Sequence, residues 1–266
     1  MLSPAHPPSF RGNRVKALLR DDRPAFGVFA TIPSVANVQI MAASGLDWVL
    51  IDMEHGAIDH ATAHAMIAAT TGTPMVPIVR VTGTSAEHAK RPLDLGAMGI
   101  NFPMTSRPED AVTSVRAVRY PPAGDRAWGP FLAPFHWGLS MHAYIEAADA
   151  EILTVITIED ANALAGIDDV LATPGIDVAV IGPGDLATSM GFKARPDHPD
   201  VLAMVATFEA KIRASGVAMG GPAPTPAKAN EMISRGYRFL GVGVDGLLLQ
   251  RGIAAALEGV NRTGRA

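Results

Sequence analysis

Glu159 and Asp185 each close an apolar run of the kind a buried β-strand presents: "ILTVITIED" (152–160) and "IDVAVIGPGD" (176–185). The segment between them, "ANALAGIDDVLATPG", has helical spacing. If the runs are parallel strands of a barrel, their C-terminal ends meet at one mouth, where active sites of that architecture sit. Two carboxylates there suit a hard divalent cation such as Mg²⁺ or Mn²⁺, which takes oxygen ligands and keeps waters that substrate oxygens can displace. The competing reading is that one acid only caps the helix that follows it.

A second group lies in "LIDMEHGAID" (50–59), where Asp52, Glu54 and His55 end a strand-like run. The two-residue strand period puts 52 and 54 on one face, and His55 begins the loop above. An Asp directed at a His would fix its tautomer and raise its basicity, making a general base near neutral pH; alone, such a His is a satisfied structural residue. Arg80 ends "PIVRV" (77–81), and a buried Arg needs an anion. That anion is either a rim carboxylate such as Glu54 or a substrate carboxylate or enolate oxygen. The turn "IGPGDL" (181–186) offers backbone N–H groups at Gly184 and Asp185 to an anion beside the cation.

The elements that would position these residues alternate regularly. Strand-like runs at 25–32, 47–54, 75–81, 99–104, 152–160, 176–182, 217–223 and 239–245 each precede a segment that can be helical. Eight apolar strands with intervening helices predict a closed parallel (β/α)₈ TIM barrel of class α/β, with an open doubly wound sheet as the alternative. A single domain spanning 1–266 is the economical reading, since such barrels occupy about 250 residues. Residues 120–147 break the rhythm with a Pro/Gly-rich stretch bearing Trp128, Phe131, Phe135, Trp137 and Tyr144, which reads as a lid, a binding loop or a subunit contact, against a self-packed surface loop.

Composition excludes several classes. A net charge of −4 with scattered basic residues gives no footprint for nucleic acid, and no apolar stretch is long enough to span a membrane. Without cysteine there is no thiolate ligand, disulfide or Cys nucleophile. The polar, Pro-rich start "MLSPAHPPSF" lacks the apolar core of a secretory signal, so a cytoplasmic enzyme is expected. No "GxGxxG" or Walker-type loop follows the first strand. All five lysines, Lys16, Lys90, Lys193, Lys211 and Lys228, fall outside the strand-like runs, which argues against a Schiff-base mechanism. His60, His64 and His88 fall in helical segments and His6 and His198 in polar stretches; His136 and His142 lie in the aromatic segment.

Taken in order, "DWVLIDMEHGAID", "PIVRV", "LDLGAMGINFPM", "RYPPAGDRAWGP", "IEDANAL" and "IGPGDLATSMG" resemble the successive motifs of the HpcH/HpaI class II pyruvate-dependent aldolases, over roughly residues 11 to 258. The resemblance implies a phosphoenolpyruvate/pyruvate-binding type of TIM barrel. It implies a divalent cation (Mg²⁺, Mn²⁺ or Co²⁺) on Glu159 and Asp185, an Asp–x–x–His pair at Asp52 and His55, and a catalytic arginine at Arg80. It also implies that Asp94 serves a neighbouring subunit's site, that the C-terminal helix (about 246–258) is exchanged between subunits, and that the chain forms a hexamer, a trimer of dimers. Thr157 stands where several members carry Gln, altering contacts to the pyruvate carboxylate. The implied activity is reversible cleavage of a 4-hydroxy-2-oxo acid to pyruvate and an aldehyde through a metal-stabilised enolate. Alternatives on the same scaffold are a citramalyl- or malyl-CoA type lyase, an oxaloacetate decarboxylase, or a noncatalytic barrel. The first would need a basic channel that the sequence lacks, and the last would have lost site residues that this chain keeps.

Overall fold

A computed structural model describes residue 10, residues 12–193 and residues 195–262; the N-terminal stretch with His6 lies outside the described residues. Eight strands run parallel: β1 (Ala25–Ala30), β2 (Trp48–Asp52), β3 (Val76–Arg80), β4 (Gly99–Phe102), β5 (Leu153–Ile158), β6 (Val178–Ile181), β7 (Ala218–Pro222) and β8 (Tyr237–Val244). Each pairs with the next, and β8 pairs back to β1, so the sheet is a closed barrel. That closure decides against the open sheet.

Side-chain alternation along the strands decides what reaches the mouth. Trp48 and Leu50 of β2, Val76 and Ile78 of β3, and Leu153 and Val155 of β5 fill the barrel interior, whereas Val49, Ile51, Val79, Ile156 and Ile158 face the surrounding helices. Continuing the period of two puts Asp52, Arg80, Thr157 and Glu159 on the inward face at the C-terminal ends. The interior below them is closed by Trp48, stacked on Phe239 with ring centroids 4.2 Å apart. Gly27 makes room for that stack, since a Cβ there would lie 2.0 Å from the indole.

Helix α1 (Arg14–Arg20) closes the end of the barrel opposite the mouth, with Val15 and Leu18 packed on the interior cluster, and the remaining helices lie outside: α2 (Val35–Ala43), α3 (His60–Ala68), α4 (Ala86–Asp94), α5 (Pro108–Ala117), α6 (Ala133–Trp137), α7 (Met141–Glu151), α8 (Ile167–Leu171), α9 (Pro183–Ser189), α10 (Pro199–Ser215), α11 (Pro226–Ser234) and α12 (Asp245–Leu257). Among the described residues no helix is long and apolar enough to cross a membrane. Short polar caps start several helices; Asn13, Ser34, Asp59 and Thr225 each accept a first-turn backbone N–H. At the barrel seam Asp245 accepts from Thr31 N and Oγ1, Ile32 N and Asn37 Nδ2 at 2.7 to 3.1 Å, tying the start of α12 to the loop after β1. Beyond its first turn α12 is exposed from Leu247 to Leu257.

Residues 120–147 join α5 to β5, so they lie at the end of the barrel opposite the mouth. This corrects the reading of the segment as a lid over its own site. It is also partly helical and partly packed: Trp137 is buried against Phe10 and Tyr144, and its Nε1 donates to the Gly96 carbonyl at 3.1 Å. Trp128, Phe131 and Phe135 are exposed.

Candidate active site

Asp52 ends β2 and its carboxylate accepts four hydrogen bonds. Its Oδ1 takes the backbone N–H groups of Glu54 and His55, both at 3.1 Å, closing an Asx-type turn. Arg80, its register partner on β3, donates from Nε at 3.0 Å and from Nη2 at 2.5 Å. Burial pushes the Asp52 carboxyl up, but the guanidinium and the two N–H groups outweigh it and hold the group below the usual carboxylate range. The same pairing, against the opposing effect of burial, keeps Arg80 firmly charged.

The expectation that Asp52 orients the His55 imidazole is therefore corrected. Asp52 holds His55 by its backbone, while Nε2 of the ring lies 3.6 Å from Oε2 of Glu54. The turn after β2 uses the Asp lone pairs locally, and Arg80 takes the remainder. Glu54 also lies 3.4 Å from Arg80 Nε. It reaches this position through the turn, since β2 stops at Asp52, and not by the strand period the sequence suggests. The His55 side chain is 61% exposed.

Glu159 follows β5 and is buried; its Oε1 accepts the Met104 N–H at 2.7 Å. Met104 has φ of 49°, in the left-handed region, which delivers that N–H to the carboxylate. Gly182 leaves space for the Glu159 head, because a Cβ there would stand 2.9 Å from Oε2. Asp185 is the third residue of α9 and not a strand end as the sequence suggests, because β6 stops at Ile181 and Gly182 is the N-cap. Its carboxylate makes no hydrogen bond or ion pair within the described chain, and no side chain caps α9. Asp185 thus makes no capping hydrogen bond, although it lies in the first turn of α9, where the helix dipole favours an acid.

Electrostatics bind these groups into one cluster. Burial raises the Glu159 carboxyl, and the nearby charges of Asp185 and Glu54 raise it further, against Met104 N–H and Arg80. Glu54 is likewise raised, by burial first and then by Asp52 and Asp185, despite Arg80 and His55. Asp52, Glu54 and Glu159 thus act on one guanidinium, and Asp185 adds its charge to that of Glu54 and Glu159. Among the described residues no set of three or more His, Cys, Asp or Glu side chains forms a closed metal cage. A two-carboxylate platform of Glu159 and Asp185 with excess negative charge fits a hard cation that completes its shell with water and substrate.

Other expected site residues divide by position. Thr157 sits in the barrel interior with its hydroxyl donating to Asn101 Oδ1 at 3.1 Å. Gly184 opens onto free space. Asp94 does not join the cluster: it ends α4, at the far end of the barrel, where it meets buried Arg126 at 3.3 Å. His198 caps α10, His142 pairs with Glu146 on α7, and His136 shares a 2.8 Å hydrogen bond with Thr71. None of the lysines lies on a strand. Sequence reasoning undervalued Glu54, whose neighbour relation in "DMEH" was the available signal, and missed Met104 and Asn101, for which the sequence carries none.

Comparison with known proteins decides the lineage. Residues 25–251 match the profile described as HpcH/HpaI aldolase/citrate lyase. The chain belongs to that family. A hydroxypyruvate/pyruvate aldolase of Paraburkholderia phytofirmans is 34% identical over 253 residues, covering 93% of this chain and 97% of the relative. A 4-hydroxy-2-oxo-heptane-1,7-dioate aldolase of Salmonella typhimurium is 34% identical over 243 residues, 91% of this chain and 92% of the relative. The crystal structure of an HpcH/HpaI aldolase/citrate lyase family protein from Burkholderia cenocepacia superimposes with a TM-score of 0.86 at 33% identity, over 92% of this chain and 98% of that one. As an HpcH/HpaI family member the chain is an enzyme with lyase chemistry acting on small molecules, and the family is the one its motifs resemble.

Proposed function

We propose that the protein catalyses reversible aldol cleavage of a 4-hydroxy-2-oxo acid to pyruvate and an aldehyde. The observation that carries this reading is the meeting of a half-buried, carboxylate-locked Arg80 with the buried Glu159 and the exposed Asp185 at one barrel mouth. Glu159 and Asp185 would hold Mg²⁺, Mn²⁺ or Co²⁺, which when bound supplies Lewis-acid stabilisation of an enolate.

The chain's own residues do the rest. The Arg80 guanidinium, fixed by Asp52, presents positive charge to the C2 oxygen as the C3–C4 bond breaks and its electron pair passes into the enolate. His55 accepts the proton of the C4 hydroxyl, which becomes the aldehyde oxygen. The first-turn N–H groups of Gly184 and Asp185, which have no intrahelical acceptor, bind the pyruvate carboxylate. Thr157 borders that carboxylate with its hydroxyl tethered to Asn101. Oxaloacetate decarboxylation yields the same enolate and is a side activity of the same groups. For a CoA ester, two cations near the cluster are already paired, Arg80 with Asp52 and Arg107 with Asp110.

Assembly belongs to the same reading. A hexamer, a trimer of dimers, would cover the apolar side chains that α12 exposes, among them Leu247, Leu249 and Ile253. A second copy's α12 would lie against the apolar groove of about 340 Å³ bordered by Phe26, Ala223, Pro226 and Val242. Asp94, remote from the cluster of its own chain, would then serve a neighbour's site. The single-domain reading of the whole chain goes with this. The test of the activity is exchange of the pyruvate C3 protons in D₂O, followed by carbon–carbon bond formation with an aldehyde panel, each with and without chelator. Absence of both reactions in metal-loaded protein would sink the reading.

A further inference from the structure

Beside the catalytic cluster lies a polar cleft of about 350 Å³, between the loop after β3 and the loop after β4. Glu54 forms the wall it shares with the cluster, and Met104, whose N–H holds Glu159, forms part of its edge. Thr82 and Thr84 follow Arg80 by two and four residues and line the cleft together with Arg107 and Asp110. Two properties of this lining are decisive. Neither the Thr82 nor the Thr84 hydroxyl makes a hydrogen bond within the described chain, so two donor–acceptor groups stand available. The one cation in the lining, Arg107, is exposed and paired with Asp110, which accepts from its Nε at 3.5 Å and its Nη2 at 3.2 Å, and Glu54 adds a second carboxylate to the lining.

Resting on the aldolase reading, we propose that this cleft receives the aldehyde-derived tail of the substrate and selects neutral, hydroxylated aldehydes over those ending in a carboxylate. A hydroxyl on the carbon next to the aldehyde, or one further along, meets the free threonine hydroxyls. Thr82 is exposed and Thr84 half-buried, so water satisfies both hydroxyls in the open cleft; a chain lacking the hydroxyl displaces that water from them without replacing its hydrogen bonds, and this is how the cleft discriminates. A terminal carboxylate meets net negative charge, Glu54 and Asp110 against the single Arg107, and is repelled. A cleft built for a dicarboxylic substrate would instead hold an uncommitted Arg or Lys.

The experiment compares three aldehydes as partners for pyruvate in the metal-loaded enzyme: glyceraldehyde, propionaldehyde, which lacks the hydroxyls, and succinic semialdehyde, which carries the carboxylate. Wild type is expected to prefer glyceraldehyde, by kcat/KM, over both others. Thr84→Val, and Thr82→Val beside it, are expected to lower the glyceraldehyde-to-propionaldehyde ratio by about five- to tenfold for each hydroxyl lost. Asp110→Asn frees Arg107 and is expected to raise the rate with succinic semialdehyde relative to glyceraldehyde. Pyruvate C3 exchange involves no aldehyde and reports on the reaction centre itself. Exchange at the wild-type rate with unchanged aldehyde ratios in the Thr variants, or a wild-type preference for the semialdehyde, overturns the cleft assignment while the aldolase reading stands. Loss of exchange already in wild type overturns the aldolase reading, and the cleft assignment falls with it.

Discussion

Asp52 and Arg80 are register partners on β2 and β3, and they meet side by side through two hydrogen bonds at the inner rim of the barrel. The pair is nearly closed to water, with side-chain exposures of 1% and 14%. Such a pair fixes the guanidinium plane in a way that a surface ion pair cannot, because the Asp is itself locked by the His55 and Glu54 backbone N–H groups. Removing one partner of a buried pair leaves the other charge uncompensated, which costs about 3–5 kcal/mol. Asp52→Asn is accordingly expected to lower the unfolding free energy by about 3 kcal/mol, the nearby Glu54 limiting the loss, and to release Arg80 from its plane. Denaturant unfolding of the variant with and without an accompanying Arg80→Met change measures the coupling. Additive effects of the two changes would contradict it.

Glu54, not Asp52, faces the His55 ring, and this separates two variants. His55→Ala is expected to lower aldol cleavage by about 10²- to 10⁴-fold. Glu54→Gln should lower kcat by about 10²-fold, the low end of that range, with the KM for the hydroxy-oxo acid little changed. Oxaloacetate decarboxylation, which removes no proton from a C4 hydroxyl, should be less affected in both. Equal losses in the two reactions would assign these residues to positioning of the substrate.

Metal dependence is tested at Glu159 and Asp185. Chelation should abolish cleavage and added Mg²⁺, Mn²⁺ or Co²⁺ should restore it. Asp185→Asn should weaken binding of Mn²⁺, followed by its paramagnetic relaxation of water, while the melting temperature stays near that of the metal-free wild type, because Asp185 makes no hydrogen bond within the chain. A fully active enzyme in excess EDTA would remove the cation from the mechanism.

Acid stability offers a further test, at the segment between α5 and β5. Burial, reinforced by the charge of His64, lowers the pKa of His136 from its ordinary 6.5 to about 4, so the folded protein holds this ring neutral and hydrogen-bonded to Thr71. The unfolded chain binds the proton more readily. The contribution to stability is therefore complete above pH 6.5 and is lost as pH falls from there toward 4. His136→Gln should flatten the stability profile across that window, read from melting temperatures in matched buffers. A slope identical to wild type would show that other groups control it.

The barrel was legible in the sequence because its strands are buried on both faces and so appear as unbroken apolar runs, "DWVLIDME" being one, punctuated by helices. The positions of Asp52, Arg80 and Glu159 were legible for the same reason, since strand ends and the period of two place them. What escaped was set by turns. Whether an Asp at the close of β2 points at a His three residues on, or folds back onto its own backbone, depends on a local hydrogen-bond choice that residue types leave open. The left-handed Met104 carries no compositional mark, for a glycine would be the expected residue there. The aromatic segment at 120–147 was recognisable as unusual, but only the topology shows that it joins a helix to a strand and so lies away from the mouth.

The geometry of Arg80 permits one substitution that keeps charge and removes shape. Its Nε and Nη2 are both engaged by Asp52, and Glu54 lies 3.4 Å from Nε, so the remaining N–H edge is directed by a planar fork anchored on one side. Lysine would restore a positive charge in the same pocket but not the fork, and its compact ammonium would sit against Asp52 alone. Arg80→Lys is therefore expected to bind Mn²⁺ with unaltered affinity and yet to lose cleavage and pyruvate C3 exchange together. Removal of one preorganised donor to a developing oxyanion costs about 10²- to 10³-fold in rate. Exchange isolates enolate formation from every step that involves the aldehyde, so its loss locates the defect at the C2 oxygen. Wild-type exchange in the lysine variant would instead leave Arg80 as a structural partner of Asp52, and the charge that stabilises the enolate would have to come from the cation alone.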